Sequence, residues 1–203
     1  ALPISPVSLG FFCSVASELK RIDLRSMSGP FDWVISDLSG VLMLIQQGFT
    51  DFLNPQYLEQ NKEYPYILTN QKYKIDFYHD FSPEEPLSEQ IQSVTEKYTR
   101  RINRFYEAIR QPTLFIRYIH DQKEYDWLIQ HDEEVVGLLK QFNKFNTILF
   151  VGNTDLEIRP LSTLNIYLVE KDKGDTVARE FLEKNSVLKA YLEGIKLLQS
   201  KNE

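Results

Sequence analysis

"TLFIRYI" (Thr113–Ile119) is followed by "NTILFVGN" (Asn146–Asn153) and then by "LNIYLVE" (Leu164–Glu170). Each is a short, nearly continuous apolar run, the pattern of a strand buried on both faces. Between the first two lies "DEEVVGLLKQFNKF" (Asp132–Phe145), a segment with helical spacing and an acidic start. Strand, helix and strand in that order predict a right-handed parallel crossover. These runs predict one α/β domain over residues 1–203, with a mostly parallel central sheet flanked by helices in a Rossmann-like three-layer arrangement.

Working outward, "SEQIQSVTEKYTRRINRFYEAIR" reads as a long helix with Tyr98, Ile102, Phe105 and Ile109 on one side. The tail from Thr176 reads as a last amphipathic helix carrying Phe181, Leu188, Leu192 and Ile195. Nearer the start, "PISPVSLGF" reads as a short strand whose prolines suit an edge. Beyond Gly10, the spacing of Val15, Ala16, Leu19 and Ile22 starts a helix near Cys13, and Asp37 is placed to cap a second helix. Residues 50–71 carry no firm period and read as loop, and "YKIDFYHDF" reads as a strand ending near His79 and Asp80.

Composition bounds the function. Hydrophobic residues make up 42% of the chain and charged residues 26%, which marks an ordinary folded protein. The net charge of −6 argues against general affinity for nucleic acid. The longest apolar stretch, "GVLMLI", is too short to cross a bilayer, so no membrane partner is expected. A single cysteine forms no internal disulfide and fits a reducing compartment, and the opening residues show no basic leader, so a cytoplasmic location is expected. No Walker loop, dinucleotide fingerprint or zinc-spaced cysteine set is present, and no cofactor is expected.

In open α/β sheets, sites gather outside the carboxyl ends of the strands. That rule selects Ser8, Gly10 and Cys13 after the first strand. It selects Arg117, Tyr118 and His120 near the end of "TLFIRYI", Gly152, Asn153 and Asp155 after "ILFV", and Glu170 after "IYLV". His79 and Asp80 join the same rim if their strand runs parallel to the others. A thiol at a helix start faces unpaired N–H groups and the positive end of the helix dipole, both of which favour the nucleophilic thiolate. The competing reading is a small buried cysteine without chemistry.

The order "SLGFFC", "PFDW", "HDF" resembles an uncharacterised, largely bacterial family described as papain-like cysteine peptidases, most clearly from Ser8 to Phe81, with "FIRY" fitting its later part. The resemblance implies Cys13 as nucleophile and His79 as base. As a base His79 needs an orienting acceptor, and the residues themselves offer Asp80, Asp32 or Asn153. It also implies a papain-like α+β fold, in which an antiparallel sheet carries the histidine; that is the alternative to the parallel arrangement read from periodicity.

Other residues have plainer roles. Asp32, set between aromatics after a proline turn, is expected to hold a loop. Arg117 interrupts an apolar strand and needs a partner. Asp32 or Glu170 would make it a buried ion pair, and a ligand's carboxylate or phosphate would make it a clamp. All three histidines precede an aspartate, but the metal phosphohydrolases with such pairs are all-helical, and Asp121 with Glu124 and Asp132 suit helix caps. Lys97, Arg100, Arg101 and Arg104 read as a solvated basic face.

Two functions follow, ahead of a third in which the chain is a purely structural partner domain. One is a cysteine-dependent hydrolase or acyl or peptidyl transferase, with Cys13, His79, Asp80 and Asp32 catalytic and Ser8, Gly10, Arg117 and Asn153 contacting a peptide, glycan or small-molecule substrate. The other is a transferase-like domain that holds a nucleotide, sugar or other anion without covalent catalysis. The resemblance makes a link to bacterial surface-glycan metabolism conceivable.

Overall fold

The computed structural model describes residues 4–159 and 164–199; Pro3, read above as part of the first strand, lies outside them. The three apolar runs are the parallel strands β6 (Thr113–Ile119), β7 (Thr147–Asn153) and β8 (Ile166–Val169). β1 (Ser5–Ser8) pairs with β6, also parallel, and gives the order β1-β6-β7-β8 with β1 at an edge, where Pro6 is tolerated. This order has no reversal, so the sheet lacks the crevice of a doubly wound fold.

β6 is buried along its whole length because its alternate side chains enter two different cores. Leu114, Ile116 and Tyr118 pack with Val15 and Leu19 of α1 (Ser14–Arg21) and with Leu188, Leu192 and Ile195 of α6 (Ser186–Gln199). Phe115 and Ile119 enter the larger core. That core gathers α2 (Leu38–Gln46), α3 (Leu87–Ile109), α4 (Gln122–Gln130) and α5 (Asp132–Phe142). On α3 the buried side is Val94, Tyr98, Phe105 and Ile109.

Half of the described strands are not parallel. β2 (Val34–Ser36), β3 (Leu58–Gln60), β4 (Leu68–Asn70) and β5 (Ile75–Phe77) form a second, antiparallel sheet in the order β2-β5-β4-β3. The expectation of one mostly parallel sheet is corrected accordingly, and so is the reading of residues 50–71 as loop. These strands are three residues long and largely polar, too short to show a period of two. Because β5 pairs antiparallel with β2, it carries His79 and Asp80 into the second sheet and away from the parallel rim. Residues 176–185 are not helical apart from a 3-10 turn at Phe181–Lys184, so the last helix starts ten residues later than its apolar spacing suggests.

Arg117 joins the two sheets. It is fully buried and donates to the carbonyls of Leu9 and Ser36, to the Ser36 hydroxyl and to the Glu124 carboxylate. Its ion-pair partner is Glu124 rather than Asp32 or Glu170, because α4 follows β6 directly and turns Glu124 back under the sheet. The other oxygen of Glu124 lies 3.4 Å from His120 Nδ1, and Oε1 also accepts the Leu38 amide, so this carboxylate caps α2 where Asp37 does not. Asp121 accepts the Glu124 amide, as its capping pattern predicts. No helix among the described residues is long and apolar enough to cross a membrane.

Candidate functional site

The turn between β1 and α1 is shaped by Gly10. Its φ is +84°, and an added Cβ would sit 3.0 Å from Ser36 Oγ and 3.1 Å from Arg117 Nη1, so no side chain fits there without displacement. Ser8 Oγ accepts the Gly10 amide, and the Phe11 carbonyl accepts the Ser36 amide. The turn delivers Cys13 to the N-cap position of α1. The first hydrogen bond of that helix runs from the Ser17 amide to the Cys13 carbonyl, so the amides of Ser14, Val15 and Ala16 have no acceptor within the helix. Cys13 places no side-chain cap on them.

Cys13 is half-buried in the wall of a cavity of about 650 Å3. One wall is the first two turns of α1, including Ser14, Ser17, Glu18 and Arg21; the other is the segment 172–184, through Asp172, Val177, Arg179, Glu180 and Lys184. Ser14 is 7% exposed, and its hydroxyl is sealed from solvent with no hydrogen-bond partner. A buried unpaired hydroxyl costs about 1–3 kcal/mol, and this one sits in the first turn of α1, beside amides that have no acceptor within the helix.

Two fastenings hold the second wall. At one end, Asn153 Nδ2 donates to the carbonyls of His120 and Thr176, Tyr118 donates its hydroxyl to Asn153 Oδ1, and the Tyr118 hydroxyl accepts the Ala178 amide at 2.8 Å. At the other, Glu18 accepts the Leu182 amide at 2.9 Å, and Arg21 bridges Glu18 and Glu183.

Burial pushes Cys13 above its ordinary value, against a hydrogen bond from its own backbone, one with Ser17 and the Arg179 charge.

The structure gathers some of the selected residues and disperses others. Ser8, Gly10 and Cys13 share the β1–α1 turn. Asn153 and Tyr118 lie beneath the second wall, while Arg117 is buried against protein partners. His79 is exposed in the bend that follows β5, its ring 4.9 Å from that of Tyr78, and no described contact joins it to Cys13. Nor is it among the residues lining the Cys13 cavity. Asp80 is engaged by Lys97 at 2.5 Å and by the Tyr98 hydroxyl at 2.7 Å. Asp32 accepts Arg25 Nε at 3.1 Å and the Gly29 amide at 2.9 Å, holding its own loop. Lys97 and Arg101 turn inward around Tyr98, with Arg101 5.1 Å over its ring, so the expected solvated face is corrected for these two. His120 stacks on Phe11 at 3.9 Å, two residues before the thiol. Among the described residues no cluster of three or more His, Cys, Asp or Glu is placed to hold a metal ion.

Sequence reasoning missed Ser14, Arg179 and the whole segment 172–184. Ser14 had a legible signal, since it directly follows the cysteine at a helix start. Arg179 had none, because its place in the cavity depends on the fastenings of its segment.

An α/β chain with a lone thiol at the head of the first helix after an edge strand is the class these features define. The chain belongs to the family described as "Putative papain-like cysteine peptidase (DUF1796)", whose model matches residues 5–151. It is also similar to the protein described as uncharacterized protein R408 of Acanthamoeba polyphaga mimivirus, at 29% identity over 165 residues, covering 70% of this chain and 73% of the viral one. No solved structure matches the chain.

Proposed function

We propose that the cavity at the head of α1 is a ligand site, and that the chain binds there, without covalent catalysis, a small molecule presenting an acceptor oxygen to the Ser14 hydroxyl and the free amides of α1. The observation that carries this reading is the cavity itself, whose volume suits a small ligand and whose α1 wall holds the buried, unpaired Ser14 hydroxyl in its first turn. This is the transferase-like, non-covalent alternative of the sequence reading, centred on residues other than Arg117. Titration with inorganic phosphate, followed by thermal shift, tests it: saturable stabilisation that survives Cys13→Ser and is lost in Ser14→Ala supports the reading. Equal stabilisation of wild type and Ser14→Ala refutes it.

A second reading is supported by Cys13 standing in the same wall and by the family to which the chain belongs. Here Cys13 is the nucleophile of a cysteine-dependent hydrolase or acyl transferase. The thiol gives its proton to water; its sulfur then bonds to an acyl carbon, and the leaving group departs with its electron pair. Water cleaves the resulting thioester, and the Ser14 hydroxyl and α1 amides hold the oxyanion. Incubation with p-nitrophenyl acetate separates the two readings. A burst of nitrophenolate with a 42 Da mass gain on Cys13, about the mass of one acetyl group, supports the enzyme; its absence leaves the binding reading alone.

A further inference from the structure

We infer that the ligand of this cavity is an oxyanion, carboxylate or phosphate, and that Arg179, on the segment 172–184, is the residue that selects it; the inference rests on the cavity being the ligand site. Five charged side chains other than Arg179 line the cavity, and four are committed elsewhere. Glu18 accepts both Arg21 and the Leu182 amide, and Arg21 is shared between Glu18 and Glu183. Asp172 is taken by Lys184 and the Arg179 amide, and Lys184 also reaches the Glu170 carbonyl. Arg179 is different: among the described residues its only ion partner is Asp175, at 3.3 Å, and its side chain is 73% exposed. That contact is long for a charge-assisted bond, which runs about 2.7–2.9 Å, and an exposed pair of this kind contributes little, so an incoming oxyanion displaces Asp175 at small cost. Glu180, the fifth, is exposed, and its φ of +47° sets it in the left-handed region directly beside Arg179.

Charge and amides act from opposite walls. The unpaired amides and Ser14 hydroxyl come from α1; the guanidinium comes from the segment facing it. A helix start on one wall and a planar guanidinium fork on the other form an arrangement for an oxyanion rather than for a neutral carbonyl. The α1 wall lies within the family match and the Arg179 wall beyond its end at residue 151. Arg179 therefore sets the specificity of this chain on a frame that the family shares.

Titration with sodium acetate and with inorganic phosphate at constant ionic strength, against acetamide as the neutral control, tests the inference. Wild type and the variants Arg179→Gln, Arg179→Lys and Ser14→Ala are compared. The expected result is saturable binding of at least one anion, none of acetamide, an approximately tenfold weaker anion affinity in Arg179→Gln, and partial recovery in Arg179→Lys. The anion that binds more tightly identifies the source. Arg179 is exposed, so its variants fold and the comparison stays readable. Equal affinity in Arg179→Gln and wild type, or no binding of either anion, overturns the inference. Loss of binding in Ser14→Ala but not in Arg179→Gln removes Arg179 and keeps the site. Loss in Arg179→Gln but not in Ser14→Ala keeps the anion and removes the α1 reading.

Discussion

Tyr118 gives its hydroxyl proton to Asn153 and with the same oxygen receives the Ala178 amide, so one side chain on β6 fixes both its neighbour strand and the far wall of the cavity. The Tyr118 hydroxyl is pushed up to about 12, chiefly by burial, and it stays a donor throughout the physiological range.

Tyr118→Phe removes that hydroxyl while keeping the ring in its core. It leaves the Ala178 amide and Asn153 Oδ1 each without a partner, which costs about 1–3 kcal/mol. Urea denaturation should show this loss, and hydrogen exchange should quicken at Ala178 and Arg179 while the β6–β7 amides stay protected. Unchanged exchange at Ala178 would mean that the wall is held by other contacts.

Arg117→Met leaves Glu124 buried without its guanidinium and frees two carbonyl acceptors, those of Leu9 and Ser36. Breaking one side of a buried pair destabilises by about 3–5 kcal/mol, and a midpoint shift of that size in urea is expected.

Glu124 also predicts a dependence on acid. Burial acts to raise its carboxyl, but Arg117 and His120 hold it below the ordinary range. A depressed carboxyl contributes stability above its unfolded value and loses it as pH falls through the folded one. Thermal midpoints should therefore fall more steeply below about pH 4 in wild type than in Glu124→Gln, since the ordinary glutamate value lies near 4.3. Parallel curves for the two proteins would rule this out.

Cys13 should react slowly. With burial holding the thiol above its ordinary value, alkylation by iodoacetamide at neutral pH is expected to lag behind a thiol peptide. Its rate should still climb where the peptide's has levelled. A plateau near neutral pH would instead show that the thiolate is stabilised against burial.

Gly10→Ala forces a Cβ toward Ser36 Oγ and Arg117 Nη1 at a positive φ. A loss of about 1–3 kcal/mol is expected from backbone strain, read as a lower melting temperature.

The parallel half of the fold was legible because Leu114 to Ile119 and Leu149 to Val151 face two cores and need no polar alternation. The antiparallel half was not. Its strands are three residues long, and Asn70 and Asp76 spend their side chains on hydrogen bonds with Phe52 and Thr69 rather than on a pattern. The strand-end rule found Cys13 and Asn153, whose placement follows from local chain direction. The pairing of Arg117 with Glu124, and of Lys97 with Asp80, depends on how α4 and α3 lie across the sheets, which no local spacing encodes.

The strip of backbone carrying Arg179 is anchored through Asn153 and Tyr118 at one margin and Glu18 and Arg21 at the other, with no regular element between Thr176 and Ala178. Substitution or lengthening between those anchors would leave the strands undisturbed. Descendants of one ancestral scaffold could thus exchange what they recognise through the three positions between Ala178 and Leu182, while the sulfur-bearing turn stays as it was.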